Sequence, residues 1–179
     1  MFASMKYDVR LTMKWGVILG VAILVWTACI HVMGVYTTRI QYANFVDQLA
    51  VVIPIGVTAL ALLEQRRLNG GKLGFWQGVI TGVGLSAISS PIAVGGLWVY
   101  HHFVNPQWLD ILVAYERVHL KESGLSADAV AARISQLQQG GQDRKQLVGG
   151  VIGTIVFGLV VSVVESGILS LLGRRNRSA

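Results

Sequence analysis

The sequence has few charged residues, which make up 13% of its 179 residues, whereas soluble domains contain about 25%. It has one cysteine, Cys29, and three prolines. A single cysteine excludes a disulfide scaffold, and the low charge excludes a disordered chain. The motifs G-x-S-x-G, H-E-x-x-H, C-x-x-C and the Walker loop are all absent. These absences favour a non-enzymatic protein, and no cofactor is predicted.

Long apolar runs are abundant, since hydrophobic residues make up 53% of the chain. A bilayer core of about 30 Å requires about 20 helical residues. Four runs are long enough, namely residues 15–36, 45–63, 75–104 and 147–172. They predict an all-α four-helix transmembrane bundle that forms a single integral-membrane domain over residues 1–179. The first run is longer than a secretory signal core and has no A-x-A cleavage site, so we expect it to be retained.

The net charge of +6 is distributed in a way that predicts an orientation. With both termini inside, the inner segments are 1–14, 64–74 and 173–179, and each holds three basic residues. Positive residues concentrate on the cytoplasmic side of membrane proteins. We therefore expect both termini to be cytoplasmic, in a bacterial inner membrane. The basic inner face predicts anionic lipid headgroups as partners and no nucleic acid.

The segment between the third and fourth runs carries the start and stop signals of helices. Asn105-Pro106 is typical of a helix start, and Ser123-Gly124 of a helix end. Ser126 is a suitable cap for a second helix, which Gly140-Gly141 would end. The sequence thus predicts two short amphipathic helices outside. They would lie on the membrane surface, cover a site or dock a partner.

Small residues recur at a spacing of four in the third and fourth runs, and such residues permit close helix packing in lipid. The positions that we expect to pack are Gly74, Gly78, Gly82, Gly150, Gly158 and Ser162. The sequence predicts that the two spans cross along these rows, and homodimerisation through one row is the alternative. Pro54 and Pro91 should kink the second and third spans, with Ser89 and Ser90 available to satisfy a freed carbonyl.

Several of these motifs together resemble a known family. The first span opens with the sequence from Lys14 to Gly20, KWGVILG, and the inner loop leads into Leu73-Gly74-Phe75-Trp76-Gln77-Gly78. Over residues 12 to 172 the order of glycines, aromatics and charges resembles domain-of-unknown-function family 4199. The resemblance implies a bacterial inner-membrane protein with four spans. It transfers no catalytic or ligand-binding residue.

Glu165 is the acidic residue within the fourth run. A charge near the centre of a membrane helix costs about 2.5–3.5 kcal/mol, which makes such a residue a functional candidate. A structural explanation is that Glu165 stays neutral or pairs with Lys14 or Arg66 near the inner surface. The functional explanation is a proton or substrate site.

All four histidines fall on the predicted outer side, at His31, His101, His102 and His119. Imidazoles in such a group can bind zinc or copper. No tight ligand spacing occurs among them, so no metal is predicted.

Three functions remain open after these observations. The leading hypothesis is a membrane-embedded structural or interaction protein with a homodimeric or other membrane partner. The second is a small proton- or cation-coupled transporter or channel that uses Glu165. The third, an enzyme acting on lipid, would require Lys14, Arg66, Arg67 and Glu165 to converge near the inner headgroups.

Overall fold

The computed structural model describes the backbone of residues 8–140 and 143–175, and the side chains of residues 8–139 and 147–171. Every regular element within these ranges is helical. The helices are α1 Val9–Val32, α2 Ala43–Leu49, α3 Val52–Leu68, α4 Phe75–Val99, α5 Trp108–Glu122, α6 Ala127–Gly140 and α7 Asp143–Arg175. A 3₁₀ turn at Ile40–Tyr42 leads into α2, and a wide π turn at Tyr100–Val104 ends the third span.

Four helical segments are long and apolar enough to cross a membrane: Val9–Val32, Ile40–Leu68, Phe75–Val104 and Leu147–Leu171. Backbone groups inside lipid must be bonded within the protein, which helices of this length achieve. The chain is therefore a multi-pass membrane protein. The predicted all-α fold with four spans is confirmed.

The first span begins and ends earlier than residues 15–36. Asp8 caps α1, with its Oδ1 accepting a hydrogen bond from the Leu11 amide at 3.0 Å, so the helix begins at Val9. At the other end Gly34 has a φ of 73°, a conformation that glycine adopts without strain. Local capping and a glycine turn thus set these bounds, whereas hydropathy alone does not reveal them.

The second span consists of α2 and α3, with a break at Ala50 and Val51. Pro54 is the third residue of α3, where its missing amide hydrogen removes no bond that the helix needs. The break therefore lies one turn before Pro54, whereas the sequence predicted a kink at the proline itself.

The third span accommodates Pro91 inside α4. A proline cannot donate to the carbonyl four residues earlier, which here belongs to Ala87. The Ser90 hydroxyl donates to that carbonyl at 3.4 Å, while the Ser89 hydroxyl donates to the Ser86 carbonyl at 3.3 Å. Ser90 thus takes the place of the missing backbone donor.

The helix α4 lies between α1 and α7. A Cβ added to Gly16 or Gly20 would lie 2.7 or 2.8 Å from the Cβ of Ile88 or Ile92, so α1 runs parallel to α4 in close contact. Toward α7, the Cβ of Ser162 would lie 2.2 Å from a Cβ added to Gly82. The centre of the bundle is therefore held by backbones that approach closely, as small residues permit.

The two ends of the bundle differ in composition. At one end lie Arg10, Lys14, Arg66, Arg67 and Lys72, and we call this the basic end. At the other lie the histidines, with Tyr36, Tyr100 and Trp108, and we call this the histidine end.

Between the third and fourth spans, α5 and α6 pack against each other. The helix α5 begins at Trp108, two residues after Pro106, because the Asn105 amide bonds Tyr36 instead of capping a helix. Gly124, with a φ of 77°, follows α5. Ser126 accepts a hydrogen bond from the Ala129 amide at 3.3 Å and so caps α6.

Candidate functional site

Polar side chains lie between α3, α4 and α7, and on α3 they begin beside the basic end, since Gln65 precedes Arg66. The Thr81 hydroxyl lies 2.7 Å from Gln65 Oε1 and 2.9 Å from the Gln77 carbonyl. Gln65 is 2% exposed and Thr81 is fully buried. This hydrogen bond joins α3 to α4 inside an otherwise apolar region.

Glu165 lies at the same level on α7. It follows Ser162 by three residues and precedes Ser166, so it shares one side of the helix with Ser162. Those two serines are fully buried against Gly82 and Gly78, the residues that flank Thr81 on α4. We call Gln65, Thr81, Ser162, Glu165 and Ser166 the polar layer.

Three members of the polar layer have buried polar atoms without a partner among the described residues. Both carboxylate oxygens of Glu165, the Nε2 of Gln65 and the hydroxyl of Ser166 are buried without a hydrogen bond. Buried polar groups in native proteins are rarely left unpaired. Glu165 offers acceptors, while Gln65 and Ser166 offer donors, so the layer has the chemistry to hold a proton, a cation or a water molecule.

The ion pair expected between Glu165 and Lys14 or Arg66 is wrong. Lys14 Nζ instead lies 2.9 and 2.8 Å from the two carboxylate oxygens of Glu64. Trp15 Nε1 donates to the same carboxylate at 2.5 Å. Arg66 Nε donates to the Gly71 carbonyl at 3.0 Å. The physical reason is that α3 packs on α1 at the basic end and brings Glu64 to Lys14.

Glu64 was missed because it lies just beyond the predicted second span, among the residues assigned to the inner loop. The sequence did contain a signal for this pair. Glu64 lies at the inner end of the predicted second span, and Lys14 lies at the inner start of the first. Lys14 and Arg66 bond Glu64 and the Gly71 carbonyl, and among the described residues neither bonds Glu165.

The residues predicted to pack the third and fourth spans lie as follows. Gly78 and Gly82 face Ser166 and Ser162, Gly158 faces Ser86, and Gly150 faces Val94. Gly74 instead lies at the start of α4, near Gln77 of the same helix. A Cβ at Gly158 would approach the Ser86 Oγ to 1.6 Å, so a larger residue there requires the helices to separate.

The four histidines make separate contacts. His31 Nδ1 is 2.9 Å from the Tyr100 hydroxyl, and His101 stacks on Trp108 with ring centroids 4.2 Å apart. His102 stacks on Trp98, and His119 on Tyr115. Within the described part of the chain, no group of three or more His, Cys, Asp or Glu side chains is placed to hold a metal. The outer histidine cluster is therefore not assembled as a metal centre.

A hydrogen-bond network fixes the histidine end. The Asn105 amide donates to the Tyr36 carbonyl at 3.1 Å and lies 3.3 Å from the Tyr100 hydroxyl. The Tyr36 hydroxyl donates to Asp47. Burial, followed by this bond to the Asp47 carboxylate, raises the pKa of Tyr36 above its ordinary value. The phenol therefore stays protonated and ties the α1–α2 connection to α2.

Several cavities lie around this network, and three of them share walls. One of about 460 Å³ is lined by residues of α4, α5 and α7, and another of about 390 Å³ by the α1–α2 connection, α2, α4 and α5. A groove of about 420 Å³ extends toward the middle of the bundle along α3 and α7. Sequence reasoning did not find these spaces, because their walls come from segments far apart in the chain.

The chain matches a family described as proteins of unknown function, DUF4199, over residues 14–174. It belongs to this family. The match includes all four spans except the first five residues of α1 and spans the whole polar layer. No curated protein and no solved structure matches the chain. The DUF4199 description assigns no activity, so the geometry of the site has to support any proposed function.

Proposed function

We infer that the chain is a non-enzymatic protein of the bacterial inner membrane in which Glu165 binds a proton or a small cation. The observation that carries this proposal is the burial of both Glu165 carboxylate oxygens without a hydrogen-bond partner among the described residues. An ionised carboxylate inside a membrane helix is costly unless it is compensated. A proton or a cation supplies that compensation where no side chain of the described chain does.

The surroundings of Glu165 support a site from which a bound proton or cation can exchange. The groove ends at Ser86 and Gly158, and Gly158 lies one helical turn from Ser162 of the polar layer. Asp47 lines the other end of the groove. This mainly apolar groove contains the polar side chains of Asp47, Ser86 and Thr154 and ends one turn from the polar layer, and its proximity to Glu165 favours a small proton- or cation-coupled transporter or channel.

The test compares two acids of the same chain in liposomes. Purified protein is reconstituted, a pH gradient is imposed, and its decay is followed with an enclosed pH-sensitive dye. We expect Glu165→Gln to abolish protein-dependent proton movement, because the amide cannot ionise. Glu64→Gln is the matched control and should retain it. Equal proton movement in the parent and Glu165→Gln proteins would refute the assignment.

The second candidate function is a membrane-embedded structural or interaction protein. Its support is a row of exposed β-branched residues on α7 at a spacing of four: Val148, Ile152, Val156, Val160, Val164 and Ile168. A row of this kind suits a second copy or another membrane protein as well as lipid. Cross-linking in native membranes tests it, and loss of a cross-linked dimer in Val156→Trp, with Leu60→Trp as control, would support a homodimer.

We further propose that both termini are cytoplasmic and that the basic end contacts anionic headgroups. The support is the repeated excess of Lys and Arg in the segments that would lie inside. In a Cys29→Ala background, a membrane-impermeant thiol reagent applied to intact cells should label Gln138→Cys and spare Ser178→Cys. The opposite labelling pattern would reverse the orientation.

A further inference from the structure

The two cavities and the groove at the histidine end adjoin one another through shared lining residues. The cavities of about 460 and 390 Å³ share Leu97, His101 and Trp108 as a common wall. The groove shares Asp47 with the smaller of these and Gly150 with the larger. We call the two joined cavities the aromatic chamber. The chamber and the groove together have the shape to hold a lipid, with its head group in the chamber and its tail in the groove.

The chamber is suited to a flat ring. His101 and Trp108, which separate its two parts, lie nearly parallel at an interplanar angle of 19°. Trp98 and His102, which line the larger part, form a second stacked pair with centroids 4.3 Å apart. Aromatic faces favour offset stacking with another ring, so a planar head lying against the outward face of either stacked pair would gain contact on its own face.

The free polar groups of the chamber are mainly donors. Among the described residues, the His101 ring nitrogens, the Asn44 amide and the Trp108 Nε1 make no hydrogen bond. The Trp108 indole can only donate, while the Asn44 amide and a neutral imidazole each offer both a donor and an acceptor. A ligand that meets these groups needs acceptor oxygens, such as ring carbonyls.

The charges of the region exclude most lipid headgroups. Of the described residues that line the three spaces, Asp47 is the acid and none is Lys or Arg. A phosphate prefers Arg or Lys, so a phospholipid head is disfavoured. A quaternary ammonium head would be attracted by the Asp47 carboxylate, but it has no acceptor oxygen for the indole and amide donors of the chamber. An uncharged head with acceptor oxygens fits these donors best.

The groove has the character of a tail channel. It is lined by side chains such as Leu19, Ile23, Val51 and Phe157, which would contact an aliphatic chain. It opens along the gap between α3 and α7, where the second span is broken. A chain attached to a head in the aromatic chamber would enter it beside Asp47 or Gly150.

We propose that the aromatic chamber and the groove bind a neutral membrane lipid whose flat ring carries carbonyl oxygens and whose tail is aliphatic, the chemistry of a membrane quinone. The ring lies against His101 and Trp108, and its carbonyls accept from Asn44, Trp108 or His101. The tail follows the groove toward Gly158. The head site is separate from the polar layer, whereas the tail would occupy the groove that ends one turn from Ser162.

The experiment measures binding of a benzoquinone with a ten-carbon tail to the full chain in lipid nanodiscs, through quenching of tryptophan fluorescence. His101→Leu removes the ring nitrogens, and Gly153→Leu fills the groove at a glycine whose Cβ would meet nothing within 4 Å. Each should weaken binding about tenfold, the loss expected from one good hydrogen bond or an obstructed tail. Gly149→Leu, on the same helix and equally unobstructed, and His119→Leu are the matched controls and should bind like the parent.

A second ligand sharpens the assignment. A benzoquinone without the tail should bind the parent and Gly153→Leu proteins equally, because the groove is then not used. Quenching that is identical in all variants would mean simple partition into lipid and would overturn the proposal. Displacement of the quinone by a short-chain phosphatidylglycerol or by an alkyl trimethylammonium, with tighter binding of either, would overturn the neutral-ring assignment. If His101→Leu fails to fold, photo-cross-linking of an azido-quinone to the parent protein tests the site instead. We expect the label on α4 or α5. Labelling confined to other segments would refute the site.

Discussion

The two neighbours of α7 in the bundle make very different contacts with it. Toward α4, glycines and serines face each other so closely that an added Cβ at Gly82 would lie 2.2 Å from Ser162 Cβ. Toward α3, the same helix borders an open groove. In lipid, where apolar surface gives no preference for another helix, close approach has to come from small residues. The α4 side is therefore built for fixed packing, while the α3 side leaves space for an occupant.

The largest expected effect comes from disrupting the close side. Gly158→Leu would place a Cβ 1.6 Å from the Ser86 Oγ and 2.5 Å from its Cβ. Overpacking of this kind costs about 1–3 kcal/mol or more. We expect a lower melting temperature in detergent and poor recovery of folded protein.

The control is Gly149→Leu, on the same helix, where nothing lies within 4 Å of the added Cβ. It should melt like the parent. If Gly158→Leu and Gly149→Leu have the same melting temperature, the packing of α4 on α7 does not depend on this contact. The contrast between the α4 side and the α3 side of α7 is then lost.

An intermediate effect is expected where α3 meets α4. Thr81→Val removes the donor that faces the buried Gln65 Oε1 at 2.7 Å, and interhelical hydrogen bonds in membranes contribute about 1 kcal/mol. Gln65→Leu should be nearly neutral, because it also removes an Nε2 that has no partner in the described chain. Thermal unfolding of both single variants and the double variant measures the coupling energy.

Thr27→Val provides the comparison, since the Thr27 hydroxyl bonds its own helix at the Ile23 carbonyl. It should show no coupling to Gln65→Leu. Equal coupling of Thr27 and Thr81 to Gln65 would show that the bond between α3 and α4 contributes nothing specific.

The smallest effect is expected at the basic end. The Lys14 and Glu64 side chains are 52% and 34% exposed, and ion pairs with such exposure contribute less than about 1 kcal/mol. Glu64→Gln should therefore lower stability slightly, and added salt should reduce the difference from the parent. A loss as large as that in Gly158→Leu would mean that α3 is held mainly by this pair, and not by its contact with α4.

Much of the architecture follows from the sequence, because membrane spans depend on local length and hydropathy. The four spans and the position of Glu165 within one of them are of this kind. The break at Ala50 and Val51 is not, since it depends on how α2 and α3 pack around the groove. The partner of Lys14 was also mispredicted, because the choice between Glu64 and Glu165 depends on which helix lies beside α1. The aromatic chamber required the fold itself, which brings Asp47, His101 and Leu147 around one space.

The position of α4 has a consequence for how the protein is made. This span has the lowest mean hydropathy of the four and the largest buried share. Several of its buried side chains carry hydroxyl groups, such as Thr81 and Ser90. During synthesis it enters the membrane before α7 exists, with its serine and glycine face still turned toward lipid. A nascent chain stopped before α7 would therefore expose to lipid the glycines and serines that otherwise pack against α7, and we expect it to be degraded faster than the full chain. Completion of α7 is the event that converts this intermediate into a stable membrane protein, and pulse-chase degradation of a chain truncated at Gly140 would show it as a shortened half-life.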